Sequence, residues 1–299
     1  MNGSWTARMR TAWFPTVLLY LLLVRPVCAQ DASLAIYPTP ERIKQGSVAA
    51  LRIRGTAPGD RLRLRVGSRH MALVSPNGAL PGTVWIGVDL EQPPGPLEVV
   101  LEGVTRAGLP VTARTRLIVV DGNYPVQRLT VPRSFTELDA ATLARIAGEK
   151  ATLDRLWETV TPTRMWHAPF RAPLQDAIRG SGFGLKRVIN GEPRAPHTGV
   201  DFSVPAGTPV LATNAGWVVL AGEHFFAGRS LVLDHGEGLY TMYFHLQESV
   251  AELGRQVAHG EPIGRVGNTG RATGPHLHWG ARLYGARIDP AALLHLRPE

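Results

Sequence analysis

Between Leu51 and Val66 apolar and basic residues trade places at every step: Leu51 and Ile53 against Arg52 and Arg54, then Leu62, Leu64 and Val66 against Arg61, Arg63 and Arg65. A period of two sends one set of side chains to each face of an extended chain, so these segments are half-buried strands. Turn signals punctuate the run at Pro58-Gly59-Asp60, Pro76-Asn77-Gly78, Pro93-Pro94-Gly95 and Arg106-Ala107-Gly108, and further apolar runs follow at Leu97 to Leu101 and Val111 to Val120. Short strands at this spacing predict a small antiparallel β-sandwich over residues 30–122. With 32 Gly and 24 Pro in 299 residues, a long helical bundle is excluded. The arginine faces have two readings, a solvated surface and a surface for an anionic polymer.

From Asp121 to Pro132 the alternation stops. Ser134-Phe135-Thr136-Glu137 then matches a capping box, which predicts a helix starting there and running to about Val160, with Leu138, Leu143, Ile146, Leu153, Leu156 and Val160 on its apolar side. Residues 123–165 thus read as a linker carrying one helix packed on a domain. The remaining residues, 166–299, again favour strands, at Pro209-Val210, Gly216 to Val219, Leu231 to Leu233 and Tyr240 to Tyr243, with helical spacing only from Pro290 to Leu296. The expected fold class is mainly β: sandwich, helical connector and a second antiparallel β domain.

The first 29 residues carry Arg8, Arg10 and Arg25 without an acid, an apolar core from Thr16 to Val24, and small residues up to Ala29. This pattern predicts a cleaved secretory signal, and so a place in the periplasm or cell envelope. Acylation at Cys28 and an uncleaved membrane anchor are the alternatives. Cleavage removes the only cysteine and lowers the formal charge of +8 by three, leaving no thiol chemistry. The basic residues are spread along strands without a recognition helix, which argues against nucleic acid as a partner.

Nine of the ten histidines follow Val160. Three segments stand out: His197-Thr198-Gly199-Val200-Asp201, His245 in Tyr243-Phe244-His245-Leu246, and Gly274-Pro275-His276-Leu277-His278. On a strand, His276 and His278 project from one face, about 6.6 Å apart along the chain. His197 and Asp201 flank Gly199, a residue expected to let the backbone bend and aim both side chains inward. Two imidazoles and a carboxylate make a three-ligand set that suits zinc and leaves one position open for water. The other two histidines are then available for proton transfer. There is no His-Glu-x-x-His, hence no helical glutamate base.

These residues resemble the lysostaphin-type (M23) zinc metalloendopeptidases, which cut peptide bridges in bacterial cell walls. The resemblance covers about residues 181–281: Phe183-Gly184, His197-x-x-x-Asp201, Gly207-Thr208-Pro209-Val210, Tyr243-x-His245-Leu246, Gly264-x-x-Gly267-x-Thr269-Gly270, and Thr273 to His278, in that order. It implies an antiparallel sheet groove, one zinc ion held by His197, Asp201 and His278, and a catalytic pair, His245 and His276. Which of the pair is the base stays open. Two departures, Trp279-Gly280 after the paired histidines and Phe244 before His245, are expected to shape the groove without touching a ligand.

Arg187 and Arg194 flank the site entrance in sequence and are candidate partners for stem-peptide carboxylates. Asn190 has two readings, a residue near the metal's open position and a turn residue in Asn190-Gly191. The expected partners are peptidoglycan stem peptides and cross-links, and a membrane only if the leader stays attached. The expected function is exported zinc endopeptidase action on those cross-links. The alternatives are a non-enzymatic envelope module that binds wall peptide or activates an amidase, and a metal enzyme of another His-x-His fold such as a cupin.

Overall fold

The computed structural model describes residues 34–73, 81–130, 138–175 and 182–297. The expected leader, the Pro76-Asn77-Gly78 turn and the Ser134 to Glu137 capping box lie outside the described residues. Among them no helix is long and apolar enough to cross a membrane.

Eight strands form the first layer pair: β1 (Ala35–Thr39), β2 (Arg42–Lys44), β3 (Val48–Arg54), β4 (Arg61–Val66), β5 (Arg69–Ala72), β6 (Thr83–Gly87), β7 (Gly95–Val104) and β8 (Pro110–Val120). They pair in the orders β1-β3-β6 and β2-β8-β7-β4-β5. The alternation is realised residue by residue: Leu51, Ile53, Leu62, Leu64 and Val66 are buried in one core with Val99, Leu101 and Leu117. The sandwich is not wholly antiparallel, because β2 runs parallel to β8. On the outer face Arg63 pairs with Glu102, and Arg65 and Arg114 with Glu98, so acids from β7 offset part of the basic face.

The linker holds a strand that its sequence did not announce. β9 (Val126–Leu129) runs parallel to β10 (Lys186–Ile189), which forms a hairpin with β11 (Glu192–Arg194). Partner strands distant in sequence supply the ladder, which a local pattern of exposed and half-buried residues cannot reveal. The helix α1 (Ala140–Glu158) begins later than the capping box implied: Asp139 is the N-cap, its carboxylate accepting from Thr142 N at 2.7 Å. Aspartate before two alanines is a strong start. The expected apolar side is only partly used. Leu143 is exposed, and the anchor is Trp157, buried with Leu220, Val232, Tyr240 and Met242.

The rest of the chain builds one large sheet from β12 (Gly199–Phe202), β13 (Pro209–Leu211), β14 (Gly216–His224), β15 (Gly228–Asp234), β16 (Leu239–Ser249), β17 (Gln256–Val257), β18 (Pro262–Val266), β19 (Leu277–Leu283) and β20 (Ala286–Ile288). Its main path is β12-β19-β16-β15-β14-β17, with β13, β18 and β20 attached at its sides, and a 3-10 helix (Pro290–His295) closes the described chain. All its pairings are antiparallel. Sandwich and sheet are joined by Arg287, whose guanidinium spans both oxygens of Asp89 at 2.5 and 3.0 Å, and by Val48 and Trp85 packing on the larger core.

Candidate active site

β19 lies between β12 and β16, and the register decides what meets what. Asp201 and Phe244 are the two cross-strand partners of His278. Side chains directly opposite on adjacent strands share a face at close range. His278 Nδ1 accordingly lies 2.9 Å from Asp201 Oδ1, and the Phe244 ring stacks on the imidazole with centroids 5.3 Å apart and planes 5° apart. The expectation that Phe244 stays clear of the ligand set is therefore corrected: it forms one wall of His278, because the β16 register places it there.

His197 completes a triangle. Its Nε2 lies 3.0 Å from His278 Nδ1 and 3.1 Å from Asp201 Oδ1. Its Nδ1 is 2.8 Å from the Gly182 carbonyl, which can only accept, so that nitrogen carries the hydrogen. In the neutral ring the Nε2 lone pair then faces a carboxylate oxygen. Electron pairs at this range repel unless a cation stands among them, and two imidazole nitrogens with one carboxylate oxygen are a set that could hold a metal ion. Burial would raise the Asp201 pKa, but the imidazoles of His197 and His278 beside its oxygen hold it far below the usual carboxylate range, so it stays ionised. Burial pushes the His278 pKa down, against which Asp201 works in part.

Gly199 serves this cluster in a different way from the one expected. It lies in strand β12 and its backbone is not left-handed; a Cβ there would come within 2.5 Å of the Trp279 carbonyl oxygen and 2.6 Å of His278 Nε2. The glycine is required for close approach, not for bending.

His245 and His276 stand beside the triangle with ring centroids 4.6 Å apart, and His245 is 6.2 Å from the His278 ring. Simple alternation along β16 would send Phe244 and His245 to opposite faces. A bulge between the pairs Arg229–Leu246 and Leu231–Tyr243 inserts an extra residue in β16, and His245 takes φ +62°. A non-glycine residue in that region is held there by its surroundings. Here its Nδ1 bonds the Thr269 carbonyl at 2.8 Å, and its N–H donates to the Ala227 oxygen. His276 Nδ1 likewise meets the Gly274 carbonyl at 2.8 Å. Both rings thus carry their hydrogen on Nδ1 and keep Nε2 for proton exchange. Burial pushes the His245 pKa down to about 4, so its Nε2 is a free base at neutral pH.

Arg187 and Arg194 face each other across the β10–β11 hairpin, whose root is tied to the cluster by Leu185 O accepting from His197 N. Asn190 and Gly191, with φ of 53° and 86°, form the turn at its tip, and the Asn190 amide donates to Leu129 O. This is the turn role for Asn190. Sequence reasoning missed Thr269, whose carbonyl fixes His245 and whose hydroxyl donates to Leu246 O, although it lies within the glycine motif quoted above. It also missed Glu149 on α1, whose carboxylate receives the Phe225 N–H at 2.9 Å and tethers the β14–β15 turn.

A mainly antiparallel β protein with a His-Asp-His donor set and a paired histidine beside it is a metallopeptidase architecture. A model of peptidase family M23 matches residues 195–290. The crystal structure of a Pseudomonas aeruginosa chain described as an M23 peptidase superposes with a TM-score of 0.65 at 30% identity, covering 84% of this chain and 94% of that one. The chain belongs to peptidase family M23. The peptidoglycan DD-endopeptidase ShyA of Vibrio cholerae is 47% identical over 95 residues, 32% of this chain and 22% of ShyA. The DD-carboxypeptidase/endopeptidase Mpg of Neisseria meningitidis is 40% identical over 103 residues, 34% of this chain and 24% of Mpg. The chain spans less than a quarter of the length of these two curated relatives.

Proposed function

We propose that this chain is an exported zinc metalloendopeptidase of the cell envelope that hydrolyses peptide cross-links of peptidoglycan. The observation that carries the reading is the convergence of His197 Nε2, Asp201 Oδ1 and His278 Nδ1 within 3.1 Å of one another, with the His245–His276 pair alongside. Names of relatives such as ShyA support peptidoglycan as the substrate, and the arginine-flanked leader supports export. The complete donor set speaks against a non-enzymatic envelope module.

His197, Asp201 and His278 would hold the zinc ion. Bound there, zinc supplies Lewis acidity, polarising a scissile carbonyl and making water nucleophilic near neutral pH. Asp201 stays ionised and orients both imidazoles toward the centre. One of His245 and His276 takes a proton at Nε2 as the nucleophile attacks, and the other donates at Nε2 to the oxyanion or the leaving amine. Thr269 and Gly274 fix the two rings so that the proton moves at that atom only. Phe244 seals one side of His278 from water.

The test is mass spectrometry of muropeptides after the full chain has acted on purified Gram-negative peptidoglycan with zinc. Conversion of cross-linked dimers to monomers, abolished by a chelator and restored by zinc, is the expected result. Intact dimers after prolonged incubation with zinc-loaded protein would overturn the reading.

A further inference from the structure

Of the three metal-site residues, His197 alone lies outside a strand. The ladder between β12 and β19 fixes Asp201 and His278, whereas His197 precedes β12 and takes no part in that pairing. Its place is set by residues 182–185. His197 Nδ1 donates to the Gly182 carbonyl at 2.8 Å, its N–H donates to Leu185 O at 3.0 Å, and its carbonyl accepts from Gly184 N at 2.8 Å. Three bonds to one short segment mean that a shift of the segment carries the imidazole with it.

That segment is seated against Tyr124. The Phe183 ring meets the Tyr124 ring edge to face, with centroids 5.7 Å apart and planes at 79°, and it packs on the core of the larger sheet. A Cβ added at Gly184 or Gly122 would strike the Tyr124 ring, and one at Gly46 would strike the Phe183 ring and come within 2.9 Å of the Tyr124 hydroxyl. Approach this close is open to glycine only, so the ring has little room to move. The Tyr124 hydroxyl donates to Gln45 O at 2.6 Å. Gln45 and Gly46 belong to the turn between β2 and β3 of the sandwich, and that turn is itself well anchored. The Gln45 side chain donates to Gln92 O at 2.8 Å and accepts from Gly122 N at 3.1 Å, while Gly46 N donates to Val88 O at 3.0 Å and Gly46 O accepts from Asp289 N at 2.7 Å.

We propose that Tyr124 is a positioning residue of the metal site: pinned to the sandwich at Gln45, it seats residues 182–185 and through them holds the His197 imidazole in place. The sandwich is then part of the framework of the site. The proposal rests on the metal-site reading above and adds to it Tyr124 and a role for the sandwich. Partners that hydrogen-bond a ligating imidazole set metal affinity by about 10- to 100-fold. Tyr124 acts one step further out, on the segment that supplies such a partner, so the lower end of that range is expected.

The test is the zinc affinity of the full chain, by competition with a chromophoric chelator, read together with amide exchange in the metal-free protein. In Tyr124→Ala the zinc Kd is expected to rise about tenfold. Exchange at Gly184 and His197 should quicken while exchange in β16 and β19 stays parental. Tyr124→Phe keeps the ring between the glycines and loses only the Gln45 bond, so its Kd falls between those of the parent and Tyr124→Ala. Leu64→Ala opens a cavity in the sandwich core, where the side chain takes no part in these contacts, and is expected to lower stability and leave zinc affinity unchanged. Parental zinc affinity or parental exchange at His197 in Tyr124→Ala would overturn the proposal, as would an equal loss of affinity in Leu64→Ala. Should Tyr124→Ala not fold, Tyr124→Phe decides by the same two readouts. The metal-site reading is judged on the parent chain: no zinc uptake there sinks that reading and this proposal together, whereas uptake that is unaltered in Tyr124→Ala sinks this proposal alone.

Discussion

His278 Nδ1 sits 3.0 Å from His197 Nε2, although 81 residues separate them in the chain and only one of them lies in a named strand. The contact exists because β12, which follows His197, is the edge partner of β19, and because Asp201 lies opposite His278 in that ladder. Two nitrogens and one oxygen are thus brought together by backbone register, and each can be tested by what it leaves behind when removed.

Replacing Asp201 with Ala is expected to abolish stoichiometric zinc binding, measured by elemental analysis of dialysed protein. His245→Ala and His276→Ala should each keep the ion and lower kcat by about 10²- to 10⁴-fold, the usual worth of a positioned proton carrier. Zinc loss in either histidine variant would move that residue into the ligand set.

Gly199→Ala places a methyl group 2.5 Å from the Trp279 carbonyl and 2.6 Å from His278 Nε2. Backbone cannot yield as a side-chain tip can, so the variant should lose about 1–3 kcal/mol of stability and displace His278. Urea unfolding and zinc content read the two effects. A variant with parental stability and full zinc would show that the strands open without cost.

His235 provides a pH dependence outside the ligand set. It is fully buried, its Nδ1 donating to Ala215 O at 2.7 Å and its Nε2 lying 2.7 Å from the Thr241 hydroxyl. Burial drives its pKa down to about 4, against which the Ala215 bond works in part. The sign follows: the unfolded chain takes up a proton at about pH 6.5 while the folded chain does so only near 4, so stability is full above the unfolded value and falls between the two. The loss is at most about 1.4 kcal/mol per pH unit in that window. Melting temperatures from pH 8 to pH 4 should show this slope, and His235→Gln should flatten it while lowering the value at pH 8.

Glu149 should hold the turn between β14 and β15. Its carboxylate accepts from Phe225 N–H and pairs with Arg145, itself in reach of the Glu223 carbonyl. A charge-assisted bond of this type is worth about 1.5–3 kcal/mol. Glu149→Ala is therefore expected to speed amide exchange at Phe225 by at least about tenfold while exchange in β15 and β16 stays as it was. Unaltered exchange at Phe225 would show that the turn is held by the sheet alone.

Much of this was legible along the chain. Leu51 to Val66 gave their strands because burial of one face imposes period two on any half-covered sheet. His197 with Asp201, and His276 with His278, stood out because each pair is close in sequence and its chemistry is scarce, whereas His245 and the division of roles came from the resemblance to the lysostaphin-type family. The described helix starts at Ala140, not at Ser134, because Asp139 is its N-cap and its carboxylate accepts from Thr142 N; the Ser134 to Glu137 box lies outside the described residues. Trp157 was overlooked as the anchor because its partners, Tyr240 and Met242, come from a distant strand.

The donor types, the strand periodicity and the absence of a cysteine after residue 29 follow from the order of residues alone, since each depends on local chemistry or on counting. What the order could not supply is the face on which His245 lies. Alternation sends it away from His278; the bulge in β16, the left-handed φ of 62° and the Thr269 carbonyl bring it back. An extra residue in one strand shows itself only against its partner strand, and a strained φ persists only where surrounding structure holds it, so both were decided by the tertiary structure.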